Sequence, residues 1–471
     1  MNDSKFKNLF SDASKKQLYL KLTDLFNVSS LLFILIVLAA AVVLIILSTS
    51  ILKIHPAIGL LTVTVLTGLA LELAPGVVIN KIAEGFGALL GSIGLLVVFG
   101  SMLGVLIEKS GAVQKIAEFV LQLFGTKRPV AAMSVLGFLV GVPVFCDSGY
   151  IILSKLSKLI AKKSQVSSAT TSLGLAAGLY TTHTLVPPTP GPIAAAGNLG
   201  VSDQLGTVIL IGLIVAVPVM LVSIFFANRL GKNINVESSY ADKDDQQSSI
   251  GILQASLPIL LPILLITISS ILKLAKIQNT VTEVLLFIGN PLVALFIGVL
   301  AAQSQLLGHS REQHAKWLAE GVAQAGPILV LTGVGGAFGA VLKATSLKGE
   351  LLGVLQQYDV GFIGLILFSF VLAAILKTSQ GSSTSAIVIT SSILIPFVQV
   401  LGISNTLELS LLVAAIGAGA MTLSHANDSY FWVVTQFGDL SVRDAYRSYS
   451  IITFLQGVTA LITVLLLSQM F

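Results

Sequence analysis

Long uncharged apolar runs are the main pattern of the chain, and polar residues do not alternate with them at a helical period. A helix needs roughly 20 residues to cross the hydrocarbon core of a bilayer. Four runs reach or approach that length, at residues 28–52, 205–228, 251–272 and 448–468. In lipid only helices and closed barrels satisfy the backbone, and the sequence lacks the short alternating segments of a barrel. The pattern predicts an all-α polytopic membrane protein.

Two polar segments divide the chain. Residues 1–27 mix lysines with aspartates before an apolar run too long for a cleaved signal, which indicates a cytoplasmic leader and a retained first helix. Residues 229–250 include NINVESSYADKDDQQSS and have almost nothing to bury, which predicts a solvated linker, or alternatively a small regulatory element. Arg229 and Lys232 place the linker in the cytoplasm. The two membrane halves are then residues 28–228 and 251–471.

Three short motifs recur in the same order in the two halves. GSMLG at 100–104 resembles GGAFG at 335–339, and DSG at 147–149 corresponds to SQGS at 379–382. YTTH at 180–183 corresponds to TLSH at 422–425. Internal duplication is typical of secondary transporters, whose substrate sites lie at the repeat interface, where helices are broken.

Composition agrees with a membrane protein and narrows the function. The 471 residues are 55% hydrophobic and 10% charged, whereas a soluble domain carries about 25% charged residues. The net charge of +5 comes from basic residues in loops, so a nucleic-acid partner is not expected. The single cysteine, Cys146, excludes an intrachain disulfide. Neither a phosphate-binding loop nor a metal-spaced Cys/His cluster occurs, so no enzyme, ATP-driven pump, cofactor or metal site is predicted.

Two interruptions of apolar sequence in the first half are candidate site segments. Residues 141–150 contain an aspartate, and an ionisable residue in a membrane segment is a functional candidate by default. Residues 181–192 contain four prolines, which stop helices, and threonines that can offer hydroxyls to a polyol. A surface loop is the alternative for each segment. The candidate substrate-binding residues are Asp147, Ser148, Gly149, Thr182, His183, Pro188, Thr189 and Gly191.

Two further interruptions lie in the second half. Residues 377–385 form a patch of small hydrogen-bond donors opening a helix, and a helix N-terminus suits an anion. Lys377 is the predicted partner of a substrate carboxylate; the alternatives are a Ser/Thr packing seam and a lysine that snorkels to the lipid headgroups. Residues 424–432 concentrate polar side chains, with a helix cap as the alternative. The candidates are Lys377, Thr378, Ser379, Gln380, Gly381, Ser382, Ser383, His425, Asn427 and Asp428.

Three of these stretches, PPTPGP at 187–192, QGSSTSA at 380–386 and SHANDSYFW at 424–432, resemble the gluconate:proton symporter (gluconate permease) family of the ion-transporter superfamily. The resemblance implies proton-coupled uptake of sugar acids across the bacterial cytoplasmic (inner) membrane. It also implies two inverted repeats with re-entrant hairpins, at 130–149 and 361–381, and a homodimer that works by an elevator motion. Many family members have an aromatic-Glu pair at Cys146-Asp147 and a histidine at Thr189, so these departures favour a shorter, glycerate-like acid over gluconate.

The predicted function is therefore symport of a small hydroxy-acid or sugar-acid anion with a proton. A coupling proton needs a titratable group at the site, and the candidates are Asp147, His183, His425 and Asp428. Sodium is the alternative coupling ion, because Ser, Thr and carbonyl oxygens at helix breaks also suit it. A sodium-coupled carboxylate or D-serine-type permease is the alternative function. A channel or membrane sensor is disfavoured, since the sequence has no filter motif and no soluble signalling domain.

Overall fold

The structure is a computed structural model, and it describes residues 33–34, 36–124, 127–234, 250–274, 279–306, 310–345 and 361–470. Every regular element within these ranges is a helix. The predicted leader, residues 1–27, lies outside the described residues, as does most of the predicted linker, residues 235–249.

The first half contains nine α-helices within the described ranges, besides a short 3₁₀ helix at Ser202–Gln204. They are α1 (Ile36–Thr49, running into a π-helical turn at Leu47–Ile51), α2 (Pro56–Ala70), α3 (Pro75–Lys109), α4 (Ala112–Phe124), α5 (Pro129–Gly141), α6 (Cys146–Ser164), α7 (Ser168–Leu185), α8 (Pro190–Asn198) and α9 (Leu205–Gly231).

The second half contains ten helices within the described ranges. They are α10 (Ile252–Leu274), α11 (Thr280–Ile288), α12 (Pro291–Ser304), α13 (Arg311–Ala344), α14 (Phe362–Gln380), α15 (Ser383–Val400), α16 (Thr406–Met421), α17 (Ser429–Phe437), α18 (Val442–Arg447) and α19 (Tyr449–Ser468).

Seven helical segments of the described chain are long and apolar enough to cross a membrane, and the pair α11–α12, bent by 64°, adds an eighth if it counts as one span. Three of the predicted apolar runs form the candidate spans α9, α10 and α19, whereas the described helix within the run 28–52, α1, belongs to the shorter apolar helices of 10–17 residues. Many large side chains that stay exposed are aliphatic or aromatic, such as Leu253, Phe287 and Leu466. Lipid in place of water accounts for that exposure, because an apolar side chain needs no shielding from a bilayer.

Helix starts follow from local sequence. Five helices, α2, α3, α5, α8 and α12, have proline in the first turn, where its missing N–H costs no helical hydrogen bond. Ser310 and Gln313 form a reciprocal capping box at the start of α13. The proline-rich motif accordingly interrupts less chain than predicted, because Pro190 and Pro192 begin α8 and only residues 186–189 are non-helical.

The two longest helices, α3 and α13, lie antiparallel against each other. At about 1.5 Å per residue, their 35 and 34 residues each extend about 50 Å. A Cβ on Gly85 would lie 2.4 Å from the carbonyl oxygen of Gly336, and one on Gly336 would lie 2.6 Å from that of Gly85. Only glycine at both positions permits this approach, which is how small residues bring membrane helices together.

The remaining elements follow one order in both halves. A helix pair (α5–α6, then α14–α15) packs on a broken helix (α7–α8, then α16–α17), and a long apolar helix follows (α9, then α19). The contacts also cross between halves: α8 packs on α15, and α17 packs on α6. The three recurring motifs accordingly lie at matching places, on the long helices, near the turns of the helix pairs and near the helix breaks.

Four non-helical segments therefore meet in the centre. We name residues 142–145 the first turn, 381–382 the second turn, 186–189 the first break and 422–428 the second break. The ranges predicted for the hairpins, 130–149 and 361–381, include the first helix of each pair but not the whole second helix. The second helices, α6 and α15, continue to Ser164 and Val400. Residues 377–380 do not open a helix as predicted; they form the last turn of α14, and the helix that opens there, α15, starts at Ser383.

Candidate functional site: a buried ion pair at the helix breaks

Lys377 is fully enclosed although it lies in a membrane domain. Its residue is 1% exposed, so the alternative that it snorkels to lipid headgroups is wrong. The Nζ atom lies 2.5 Å from Oδ2 of Asp428, and it donates to the carbonyl oxygen of Gly381 at 3.3 Å. A lone buried charge is costly in a membrane, and the pairing with a carboxylate accounts for how this one is accommodated.

Asp428 connects the ion pair to the second break. Besides Lys377, its carboxylate accepts a short hydrogen bond from the Ser424 hydroxyl and one from the Tyr430 N–H at 3.1 Å. The last contact caps α17, so the capping interpretation of Asp428 is correct. Because the same carboxylate also holds Lys377, capping accounts for only one of its two oxygens.

The second turn fits tightly onto the second break. The carbonyl oxygen of Thr378 is 2.9 Å from Nε2 of His425 and accepts a hydrogen bond from Nδ2 of Asn427 at 2.5 Å. Gly381 has φ +76°, and a Cβ there would lie 2.0 Å from the carbonyl oxygen of Asn427. His425 and Asn427 thus bind the end of α14.

Tyr180 of α7 supports the ion pair from the first half. Its ring centroid lies 5.7 Å from the Lys377 ammonium, within the range of a cation–π contact. Its hydroxyl lies 2.8 Å from the Ser383 hydroxyl. The side chain therefore contacts both sides of the second turn.

Asp147 and His183 bring unused hydrogen-bonding capacity to the same region. Asp147 lies in the first turn of α6, and His183 lies in the last turn of α7. Oδ1 of Asp147 and Nδ1 of His183 are buried and have no hydrogen-bond partner among the described residues. The charges of Asp428 and Lys377 act on both side chains. Buried polar atoms are normally satisfied, so these two can receive a ligand.

Gln380 adds a third unused group, since both atoms of its amide are buried without a partner in the described chain. It precedes the second turn directly. A carboxamide can donate two hydrogen bonds and accept two, which suits a hydroxylated ligand. Asp147, His183 and the ion pair form one polar cluster, called here the central cluster, and Gln380 lies three residues after Lys377 at the end of the same helix.

Other predicted residues serve the packing around this cluster. The hydroxyls of Thr182 and Thr189 donate to carbonyl oxygens of their own chain segments, at Leu179 and Val186, so these protons are not available to a polyol. Gly149 packs on Leu179 and Gly191 on Ile387 of α15, while the carbonyl of Pro188 lies against Gly100 of α3. Ser382 caps α15, and the Ser379 hydroxyl donates to Ile375. Ser148 is partly buried beside Asp147.

Two contributors were missing from the predicted set, Tyr180 and Ser424. Each has a positional signal in the sequence. Tyr180 lies three residues before His183 and therefore on the same helical face. Ser424 directly precedes His425, but its bond to Asp428 depends on the conformation of the second break, which composition does not specify.

A separate cavity of about 360 Å³ lies between the two long helices and the C-terminal parts of α8 and α15. It is lined by α3, α8, α13 and α15, with Lys81, Glu84 and Lys343 among its charged residues and Asn198 among its polar ones. No predicted site residue lines it. It borders the surface along which α8 and α15 meet α3 and α13.

A helical membrane domain with broken helices around a buried polar cluster is typical of a secondary transporter. Residues 32–470 match the family model of the GntP family permeases. The chain belongs to this family and is a multi-pass inner-membrane permease.

Three curated relatives cover most of the chain. The inner membrane permease YgbN of Escherichia coli K12 is 32% identical over 86% of this chain and 92% of its own length. The gluconate permease of Bacillus subtilis 168 is 32% identical over 88% and 95%. The D-serine transporter DsdX of E. coli K12 is 30% identical over 88% and 94%.

Among solved structures, the Alcanivorax borkumensis YdaH transporter has a similar fold. The TM-score is 0.59 at 17% identity, and the alignment covers 83% of this chain and 86% of that one. At this identity the similarity concerns the fold.

Proposed function

We propose that this permease carries a small organic anion, a hydroxy acid or sugar acid, together with a proton. The observation that carries the proposal is the buried Lys377–Asp428 pair beside the unsatisfied Asp147, His183 and Gln380. The lysine supplies the positive charge that a carboxylate needs. The buried acids and the imidazole can accept a coupling proton, and the amide can bind hydroxyls. The gluconate permease relatives support this substrate class.

A second candidate substrate is a small zwitterion of the D-serine type. Asp147 motivates it, because its buried unpartnered oxygen could accept an ammonium group while Lys377 holds the carboxylate. The relationship to DsdX supports this candidate. Replacing Asp147 by asparagine separates the two, since it removes the ammonium's partner and leaves a hydroxy acid with a neutral hydrogen-bonding group.

We propose further that the halves are inverted repeats and that the protein works as an elevator. The Ser167 hydroxyl donates to the carbonyl of Ile234, so the C-terminal end of α6 and the N-terminal end of α7 lie beside the start of the linker. That end is basic, with Lys162, Lys163, Arg229 and Lys232, as expected on a cytoplasmic side. The first helix pair would enter from the cytoplasm and the second from the opposite side. The helix pairs and broken helices would move against α3 and α13, with a homodimer as the expected assembly.

An uptake panel in proteoliposomes tests the function. The purified protein is reconstituted and offered labelled gluconate, glycerate, lactate and D-serine, with an inward proton gradient, an inward sodium gradient or neither. We expect accumulation of at least one hydroxy acid, driven by the proton gradient and abolished by a protonophore. Accumulation of D-serine alone would select the zwitterion, and accumulation driven by sodium at fixed pH would refute proton coupling.

A further inference from the structure

The Lys377–Asp428 pair joins the end of α14 to the start of α17. Lys377 lies in the last turn of α14, next to the second turn, and Asp428 caps α17 across the second break. The two residues are 51 positions apart. This ion pair occupies the ammonium that a substrate carboxylate would use, and a second carboxylate beside Asp428 would bring two negative charges together in a buried site, which is unfavourable.

We propose that Asp428 and the substrate carboxylate compete for Lys377, and that a proton on Asp428 releases the lysine to the substrate. This inference rests on the proposed function and adds its coupling step. The Nζ–Oδ2 contact opens, one proton binds Oδ2, and a contact between Nζ and the substrate carboxylate forms. No covalent bond other than the O–H bond of the protonated acid is made.

The charge balance of the site explains why protonation of Asp428 and binding of the substrate anion must occur together. In the empty state one ammonium and one carboxylate sum to zero. In the loaded state the ammonium, the neutral acid and the substrate anion again sum to zero. An anion without a proton leaves the buried pair with an excess negative charge, and a proton without an anion leaves it with an excess positive charge. Buried uncompensated charge is strongly unfavourable, so the two neutral states are preferred and one proton accompanies one anion.

Both partners keep contacts when they separate. Asp428 retains the Ser424 hydroxyl and the Tyr430 N–H, which hold the carboxyl group at the second break. Lys377 retains the Gly381 carbonyl at 3.3 Å and the Tyr180 ring. Neither side chain needs a new protein partner, so the exchange requires no large rearrangement of the ion pair's surroundings.

Other titratable groups face the pair and define the controls. Five side chains interact electrostatically with Asp428: Asp147 and Cys146 on α6, His183 and Tyr180 on α7, and Tyr449 on α19. His425 lies in the same break as Asp428, and its Nε2 contacts the carbonyl oxygen of Thr378. Among the acidic side chains of the described chain, Asp428 is the only one that forms an ion pair with Lys377, whose other hydrogen bond goes to the Gly381 carbonyl. The competing proton is therefore assigned to Asp428 and not to Asp147.

The test measures equilibrium binding of gluconate and of glycerate to the purified full-length protein between pH 5.5 and 8, with uptake and exchange in proteoliposomes. In the parent protein, affinity should fall at least tenfold as the pH rises. Asp428→Asn keeps a good helix-capping side chain, so it should bind at the parent's low-pH affinity at every pH. It should exchange substrate across the membrane but lose proton-driven accumulation. Lys377→Gln and the double variant Lys377→Gln/Asp428→Asn should bind at least tenfold more weakly throughout.

Two more variants make the result specific. Ser424→Ala removes a donor that stabilises the ionised carboxylate, so protonation becomes easier and tight binding should extend to higher pH. Asp439→Asn is the matched control, because Asp439 also pairs with a lysine, Lys158, at 2.5 Å, but is 40% exposed. It should retain the parent's pH dependence.

Failure of the proposed transport function and failure of the carboxylate exchange give different results in these measurements. A parent protein that neither binds nor transports any acid of the panel refutes the proposed function. A transporting parent whose Asp428→Asn variant keeps the parent's pH dependence, or inserts and folds but loses binding, overturns the exchange alone. A pH dependence that disappears in Asp147→Asn instead would also overturn it and move the proton to Asp147.

Discussion

Gly381 caps the C-terminal end of α14 with φ +76° and packs against the second break, and its replacement by alanine gives a sharp structural prediction. A Cβ at this residue would lie 2.0 Å from the carbonyl oxygen of Asn427, and real Cβ atoms essentially never approach closer than 3.0 Å. Gly381→Ala therefore forces the second turn to withdraw by at least 1.0 Å, the difference between these distances. A movement of that size along the neighbouring Lys377–Asp428 contact would lengthen it from 2.5 Å to about 3.5 Å, outside the usual range of an N–H···O hydrogen bond.

The cost follows from two terms. An L-residue in the left-handed region is destabilised by about 1–2 kcal/mol. Loss of a hydrogen bond between charged groups costs about 1.5–3 kcal/mol. Together the substitution should lower the free energy of unfolding by about 2.5–5 kcal/mol, a large share of the stability of an ordinary domain.

Gly200→Ala is the matched control for the first term. Gly200 has φ +78°, and nothing lies within 4 Å of the position that a Cβ would occupy. Thermal unfolding of both variants in the same detergent, with gluconate and glycerate uptake in proteoliposomes, isolates the contact with Asn427. We expect Gly200→Ala to transport like the parent and Gly381→Ala to unfold at a clearly lower temperature and lose at least tenfold in uptake. Equal stability and equal uptake of the two variants would refute the packing described for the second turn.

Two further predictions follow from the same contacts, and a third follows from the composition of the linker. Lys377→Arg should insert normally but bind gluconate or glycerate with an affinity between those of the parent and Lys377→Gln, because its larger planar fork does not match an enclosed ammonium site; parent-like affinity of Lys377→Gln in a binding titration would exclude the carboxylate role. Tyr180→Phe keeps the ring over Lys377 and removes the bond to Ser383, so a loss of about 0.5–1.5 kcal/mol should weaken binding by up to about tenfold, and an unchanged dissociation constant would contradict a supporting role. Deletion of residues 236–247, which are polar and unlike either half, should leave uptake within a few-fold of the parent, whereas lost transport with normal insertion would reveal a working element.

Much of the architecture was predictable because lipid imposes strict rules. Long uncharged runs gave α9, α10 and α19, and proline, glycine and clustered polar residues located all four non-helical segments. The extent of those segments was harder to predict. Pro190 and Pro192 look like helix breakers by composition, yet both stand in the first turn of α8, where proline is tolerated. Which side of a break a proline falls on depends on packing.

The candidate site was predicted as a set of residues but not as a network. Lys377 stood at the end of a charge-free run, and the cost of an isolated lysine demanded a partner. The partner predicted from sequence was the substrate, whereas the structure pairs Lys377 with Asp428. Sequence spacing could not reveal this contact, because it joins the last turn of α14 to the second break, 51 residues away. The direction of the threonine hydroxyls was equally hidden, since their bonds to nearby carbonyls depend on helix geometry.

Proton coupling of anion transport is the central claim, and simultaneous measurement of both fluxes tests it most directly. Proteoliposomes are loaded with a pH-sensitive dye and given labelled gluconate or glycerate, without sodium and with the membrane potential clamped. We expect the transported anion to acidify the lumen at one proton per anion, and Asp428→Asn to exchange the anion with no proton movement. Anion uptake in the parent with no accompanying proton flux, or uptake that appears only when sodium is supplied, would refute proton coupling.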